Sequence, residues 1–284
     1  MGIVRKVVRR FAAAGMSVVS CAALSVTTTA SARAEIAADV DVSGEKMPVG
    51  DLPGWRQIFT DNFSNAVALG KFPQAVSDKW WSYPAGWFDT SHNGAYAPAK
   101  VVSVHDGLMD MYLHTENGQP LVSAPVPKLN GPGAEGGLLY GRYAVRFKAD
   151  RIPYYKTAWL LWPDSENWLD GEIDFPEGNL DQRISGFVHY VNQPTNQSAF
   201  NTSANYSVWH TAVTEWTPDA VWFYLDGKAI GKLTDKSKIP AKPMHWVLQT
   251  ETTINGGKPP ATVAGHVYVD WVTAYSYTPQ AAVR

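Results

Sequence analysis

Beyond residue 54 the chain is written in short apolar runs separated by turn residues. The runs 101–104, 108–114, 140–149, 158–161, 184–191, 220–225, 244–250 and 266–277 are rich in β-branched and aromatic side chains, the composition of strands. Asp226-Gly227, directly after Val221-Trp222-Phe223-Tyr224-Leu225, is a hairpin-turn pair, and Asp106-Gly107 precedes Leu108 in the same way. Past the N-terminal segment no stretch keeps an apolar period of 3.6 residues. Many short strands punctuated by Gly and Pro predict an all-β fold, a β-sandwich or jelly roll. Neither an internal repeat nor a central linker interrupts residues 55–284, which predicts one domain. Residues 35–54 are polar, carry Gly and Pro and show no period; they predict a mobile lead-in.

The first 34 residues follow another pattern. Arg5, Lys6, Arg9 and Arg10 form a basic start, an apolar core follows, and Ala32-Arg33-Ala34 has the small-x-small form of a cleavage site. This predicts a signal peptide, a mature chain beginning at Glu35, and a secreted or cell-envelope location. Arg9-Arg10-Phe11 weakly resembles a twin-arginine signal. Val18-Val19-Ser20-Cys21 loosely resembles a lipoprotein box, which makes lipid anchoring at Cys21 a minor alternative. No later run approaches the ~20 apolar residues needed to span a bilayer. Cys21 is the sole cysteine, so the mature chain is expected to lack disulfides and to rest on a core.

Export also shifts the charge. The whole chain carries −2; losing the leader removes Arg5, Lys6, Arg9, Arg10 and Arg33 and no acidic residue. The more acidic mature chain argues against nucleic acid and anionic membranes as partners, whereas a neutral polysaccharide is not repelled. The 12 Trp and 13 Tyr suit sugar binding, since a flat ring covers the apolar face of a pyranose; most are expected in the core. A monomer is expected, although oligomeric state leaves no mark in the sequence.

The candidate chemistry lies in Glu172-Ile173-Asp174-Phe175-Pro176-Glu177. Carboxylates beside apolar residues are costly to desolvate. On a strand Glu172 and Asp174 share a face. Glu177 would fall on the opposite face unless one extra residue, a β-bulge, restores it. Pro176 sits where that bulge must fall, and proline in sheets is confined to edges and bulges. Two carboxyl groups facing a scissile glycosidic bond are the arrangement used by most glycosidases. Retaining enzymes place the two ~5–5.5 Å apart and inverting ones ~6.5–9.5 Å. With ~6.6 Å between alternate backbone positions, the spacing allows either. An intervening Asp174 would hold the two glutamates in different protonation states. A solvated acidic loop would give a similar string.

Gly171 to Glu177 resembles the bulged E-I-D-x-x-E signature of glycoside hydrolase family 16, the laminarinase and β-glucanase group. Tyr140-Gly141-Arg142-Tyr143-Ala144-Val145-Arg146-Phe147-Lys148, Ala158-Trp159-Leu160-Leu161-Trp162-Pro163, Trp209-His210-Thr211 through Glu215-Trp216-Thr217-Pro218, Tyr224-Leu225-Asp226-Gly227 and the closing strand near 267–275 resemble further blocks of the family, in its order. The resemblance implies a concanavalin-like jelly roll of two curved antiparallel sheets with a cleft on the concave face. It also implies retaining hydrolysis, with Glu172 as nucleophile, Glu177 as general acid/base and Asp174 assisting. For that, Glu172 should be ionised in the free enzyme and Glu177 should hold its proton. A structural calcium on the convex face is a further implication, with ligands the sequence does not reveal; no metal cluster is expected from His105, His114 or His210, and no cofactor is required.

Candidate sugar contacts are Trp162, Trp168, His189, Trp81 and Asn93. Trp159 and Trp162 are three apart, so one faces the core, and Trp162 is favoured for the sugar. Trp168 is a stacking platform or a loop anchor. His189 lies near the carboxylates or is a core histidine. Trp80, Trp81, Trp87, His92 and Asn93 suit a cleft rim. Gln249 and Glu251 depart from the family's N-x-A-x-G-G ending, and Arg142 and Arg146 are read as structural. The loops 117–136 and 194–207, both read as irregular, are expected to set specificity. The expected activity is an endo-acting β-glycanase on a β-1,3- or mixed-linkage β-glucan. A transglycosylase acting on a cell-surface polysaccharide, a non-catalytic carbohydrate-binding protein and a polysaccharide lyase are the alternatives; the lyase fits poorly with an acidic chain.

Overall fold

The computed structural model describes residues 42–279. The expected signal peptide, Cys21 and the first part of the expected lead-in lie outside the described residues. Strands begin with β1 (Trp55–Asp61), β2 (Trp80–Ser82), β3 (Ala95–Tyr96), β4 (Val102–His105), β5 (Leu108–Glu116), β6 (Gln119–Val122) and β7 (Pro125–Pro127). The middle of the chain supplies β8 (Gly141–Ala149), β9 (Tyr155–Pro163), β10 (Glu172–Asn179), β11 (Arg183–Tyr190) and β12 (Gln193–Asn205). The last are β13 (His210–Trp216), β14 (Val221–Leu225), β15 (Lys228–Leu233), β16 (Met244–Thr252) and β17 (Gly265–Tyr277). Among the described residues helix is confined to Pro98–Val101 and two 3₁₀ turns, and no helix is long and apolar enough to cross a membrane.

These strands form the all-β jelly roll expected. A ten-stranded sheet runs β15-β14-β13-β8-β17-β5-β6-β3, with β1 on β17 and β4 on β5; a five-stranded sheet runs β12-β11-β10-β9-β16; β2 and β7 pair separately. All pairings are antiparallel except β3 with β6. The core lies between the sheets. Phe147 of β8 meets Trp159 of β9 at 5.1 Å, Tyr143 meets Trp246 of β16 at 5.4 Å, and Phe175 of β10 meets Phe223 of β14 at 5.0 Å between ring centroids. Each such buried aromatic contributes roughly 1.5–3 kcal/mol by leaving water.

Two expectations change. Residues 194–207 are not an irregular loop: β12 spans Gln193–Asn205 and pairs with β11 from Tyr190↔Gln193 to Arg183↔Asn205. It is an edge strand with an open face of Thr195, Gln197, Asn201 and Ser203, so no apolar alternation advertises it; the ladder to β11 overrides weak local propensity. Within 117–136, β6 and β7 are likewise strands. The described part of the lead-in, expected to be mobile, is tied down. Ser43 and Glu45 bind Arg146 at 3.0 Å each, the Trp271 indole donates to the Glu45 carbonyl at 2.8 Å, and Met47 packs on Trp271, Ala144 and Val213. Arg146 is thus structural, holding this strap to the outer face of β8.

Candidate active site

The five-stranded sheet presents alternate residues to its open face. On β9 these are Lys156, Ala158, Leu160 and Trp162; opposite them on β16 stand Glu251, Gln249, Val247 and His245. Glu172 and Asp174 of β10 face His189 and Phe187 of β11. Between Asp174 and Glu177 the register slips against both β9 and β11, and Glu177 emerges opposite Ala158 and Ser185. This is the predicted bulge. Pro176, which has no N–H to give to a ladder, falls inside it although β10 is central. Glycines close both ends of the strand. A Cβ at Gly171 (φ +87) would sit 2.8 Å from Pro240, and one at Gly178 (φ +150) 2.4 Å from the Arg183 carbonyl; both conformations favour glycine.

The three carboxylates share this face. The Trp168 indole donates to Glu172 Oε2 at 2.7 Å, and the Trp168 and His189 rings lie 5.7 Å apart. His189 Nδ1 is 2.6 Å from the Pro194 carbonyl, so Nδ1 carries the proton and Nε2 faces Asp174 Oδ2 at 3.5 Å. Asp174 is fully enclosed. Burial, then the charges of Glu172 and Glu177, raise its pKa well above the usual carboxylate range. Burial also raises Glu172, opposed by His189, by the Trp168 hydrogen bond and by a hydrogen bond with Asp174. Of the two, Asp174 is pushed up further, so it is the more readily protonated member of the pair.

An open hollow of about 610 Å³ begins at Glu172 and is lined by Trp81, Tyr83, Trp87, Phe88, His92, Tyr96, Leu160 and Trp162 among others. Trp162 donates to Glu166 at 2.8 Å, and Trp81 packs 5.7 Å from the His245 ring. Trp159 is buried in the core, as its offset from Trp162 required. Asn93 does not line the hollow. Its amide turns onto Ser91 Oγ at 3.3 Å, because the 89–94 turn is knotted around buried Asp89, and His92 takes the place expected for it. Among the described residues, Glu172, Asp174 and His189 form the one group whose potential ligand atoms lie within 4.8 Å of one another. It sits on the face of the carboxylates.

Residues 107–273, more than half the chain, match the family described as glycosyl hydrolases family 16. The chain belongs to that family. As a family 16 glycoside hydrolase it has the family's fold in solved structures. A laminarinase from Rhodothermus marinus is 19% identical, with TM-score 0.64, covering 79% of this chain and 98% of that one. SCLam, a non-specific endo-β-1,3(4)-glucanase from the same family, is 21% identical, with TM-score 0.63, covering 82% and 95%. An endo-β-1,3-glucanase from Pyrococcus furiosus is 18% identical, with TM-score 0.62, covering 82% and 99%. No curated protein sequence gives a significant match.

Sequence reasoning missed Lys156 at this site and noted Glu251 only as a departure from the family's ending. Lys156 Nζ lies 2.7 Å from Glu177 Oε1 and 3.7 Å from Glu251 Oε2, and both Lys156 and Glu251 are buried. The signal was available. Lys156 is a lone charge in the apolar run from Tyr154 to Leu161, and Glu251 is the one carboxylate of β16, whose every residue is buried. A buried charge needs a partner, and strands carrying one each point to one another.

Proposed function

We propose that this family 16 enzyme is an exported, endo-acting retaining β-glycanase whose substrate is a β-1,3- or mixed-linkage β-glucan. The observation that carries the reading is the bulge that brings Glu177 onto the face of Glu172 and Asp174, on the wall of an open, aromatic-lined hollow. An open hollow takes an internal stretch of polymer, and its indole faces suit neutral sugars.

In the proposed reaction Glu172 attacks the anomeric carbon while Glu177 gives its proton to the departing glycosidic oxygen. This forms a glycosyl ester on Glu172 and leaves Glu177 as a carboxylate. Glu177 then takes a proton from water, whose oxygen displaces Glu172 and releases the sugar with its configuration retained. Asp174, holding the shared proton, hydrogen-bonds Glu172 and responds as its charge is consumed and restored. The Trp168 indole fixes the Glu172 carboxylate at 2.7 Å. Burial, first of all, keeps the Tyr83 and Tyr96 hydroxyls far above their usual range, so both remain neutral hydrogen-bonding groups beside the sugar path.

One observation favours transfer to a sugar as a second outcome. Beyond Glu177 the open face of β11 and β12 is a polar shelf that includes Ser185 and Asn201, hydrogen-bonded at 2.9 Å, and Arg183 and Ser203. It offers groups to hold an acceptor. Reducing ends released from a panel of β-glucans, galactans and cell-wall polymers test the reading. Release from β-1,3- or mixed-linkage glucan that disappears in Glu172→Gln supports it; equal release by wild type and variant would refute it. Elongated products from a labelled oligosaccharide would indicate transfer.

A further inference from the structure

The reaction above makes no use of Lys156 or Glu251, although they occupy the wall beside Glu177. Glu251 stands opposite Lys156 in the β16–β9 ladder, and Glu177 stands opposite Ala158, so the ammonium is a direct cross-strand neighbour of one carboxylate and a diagonal neighbour of the other. Glu251 is fixed from behind, since the Thr90 amide donates to its Oε1 at 3.0 Å. We propose that the Lys156–Glu251 pair is a positioning device for Glu177, balancing its charge as it loses and regains the catalytic proton. The inference rests on the reading of Glu177 as the acid/base.

The argument is one of charge counting in a buried place. With Glu177 protonated, Lys156 is neutralised by Glu251 and has no excess pull on the proton. Once the proton has gone to the leaving sugar, the new Glu177 carboxylate finds the ammonium 2.7 Å away. Lysine alone would strip the acid of its proton too early; glutamate alone would oppose its loss. Among the described residues, the other charged or titratable groups acting on this cluster are Glu172 and Asp174 on the strand of Glu177, the buried Tyr206, whose hydroxyl meets Thr157 at 2.9 Å, and Asp89, which with burial pushes Glu251 up while Lys156 and the Thr90 hydrogen bond pull it down. Burial pulls the Lys156 ammonium down, but Glu177 and Glu251 outweigh it and leave it raised, so the cation persists across the working pH range.

The test is kcat/KM against pH for wild type, Lys156→Met, Lys156→Arg and Glu251→Gln, all as full chains. Two substrates are used: a β-glucan, and an oligosaccharide of the same linkage bearing a dinitrophenyl leaving group that needs no proton. The alkaline limb reports loss of the acid's proton in the free enzyme. Lys156→Met should carry activity on the glucan to higher pH by about one unit, and Glu251→Gln should pull the limb down by a similar amount. Lys156→Arg should hold the wild-type limb. The dinitrophenyl substrate should lose far less rate than the glucan in both charge-changing variants. Limbs that stay put, or move the same way in both variants, with equal losses on the two substrates, would overturn the inference and leave a structural ion pair. If Lys156→Met does not fold, Glu251→Gln decides alone: an unmoved or raised limb overturns it. A wild type inert on every β-glycan would instead overturn the assigned function, and this inference with it.

Discussion

The two faces of the sandwich treat an aspartate in opposite ways. On the outer face of β5, buried Asp110 receives His266 Nδ1 at 2.8 Å and His105 Nε2 at 3.1 Å. The rings around it, His114, Tyr112, His266 and Tyr268, stack in sequence with 4.5, 4.6 and 5.4 Å between centroids. Each negative charge there meets hydrogen-bond donors. On the concave face Asp174 is equally buried, yet its neighbours are two more carboxylates, which outweigh the pull of Lys156, and one imidazole at 3.5 Å. Such crowding of like charges costs stability and is retained where protons must move. The outer aspartate is a paired structural charge; the inner one is the assisting carboxylate of the proposed reaction.

Substitutions should separate the two faces sharply. The largest effect is expected from Glu172→Gln, with β-glucan turnover falling on the order of 10⁴-fold or more while the melting temperature holds or rises, since one of the crowded charges is gone. Glu177→Gln should cost about 10²–10⁴-fold on glucan and much less on a dinitrophenyl glycoside, measured by initial rates on both. Trp168→Phe keeps the ring but removes the donor to Glu172; a fall of about 10- to 100-fold in kcat/KM is expected, in line with ~1.5–3 kcal/mol for a hydrogen bond to a charged group. Asp110→Asn should leave kcat/KM unchanged and lower unfolding free energy by about 1–3 kcal/mol in urea titrations. An inactive but stable Asp110→Asn would erase the contrast between the faces.

The smallest effect is a pH dependence on the outer face. Hydrogen bonds donated to the Asp106 and then the Asp110 carboxylate hold the His105 imidazole above its ordinary value. A raised histidine stabilises the fold fully below its unfolded pKa of ~6.5 and loses that contribution as pH rises through the folded value. The stability difference between wild type and His105→Gln should therefore be greatest near pH 5 and fade toward pH 9. A difference that grows with pH would show that the imidazole is not held charged.

The fold was legible because strands with one buried face write themselves as alternation and hairpin turns, as Val221 to Leu225 with Asp226-Gly227 do. Strand β12 was not, because its exposed edge position replaces apolar alternation with Asn, Ser and Thr. The carboxylates were legible through a single conflict, a proline inside an otherwise central strand, which only a bulge resolves. Asn93 falls outside the lining of the hollow because side-chain direction in the 89–94 turn is set by Asp89, which accepts from the Thr252 amide at 2.7 Å from far along the chain. Lys156 and Glu251 are distant in sequence and meet only in the sheet, yet each was a charge without a local partner.

The assignment of Glu172 as nucleophile is the centre of this account, and trapping tests it most directly. The enzyme would be incubated with an activated 2-deoxy-2-fluoro β-glucan oligosaccharide, digested and examined by mass spectrometry. The account predicts one fluorosugar ester on the peptide bearing Glu172, none in Glu172→Gln, and products of the unmodified glucan released in the β configuration. An ester on another residue, or product released in the α configuration, would contradict it.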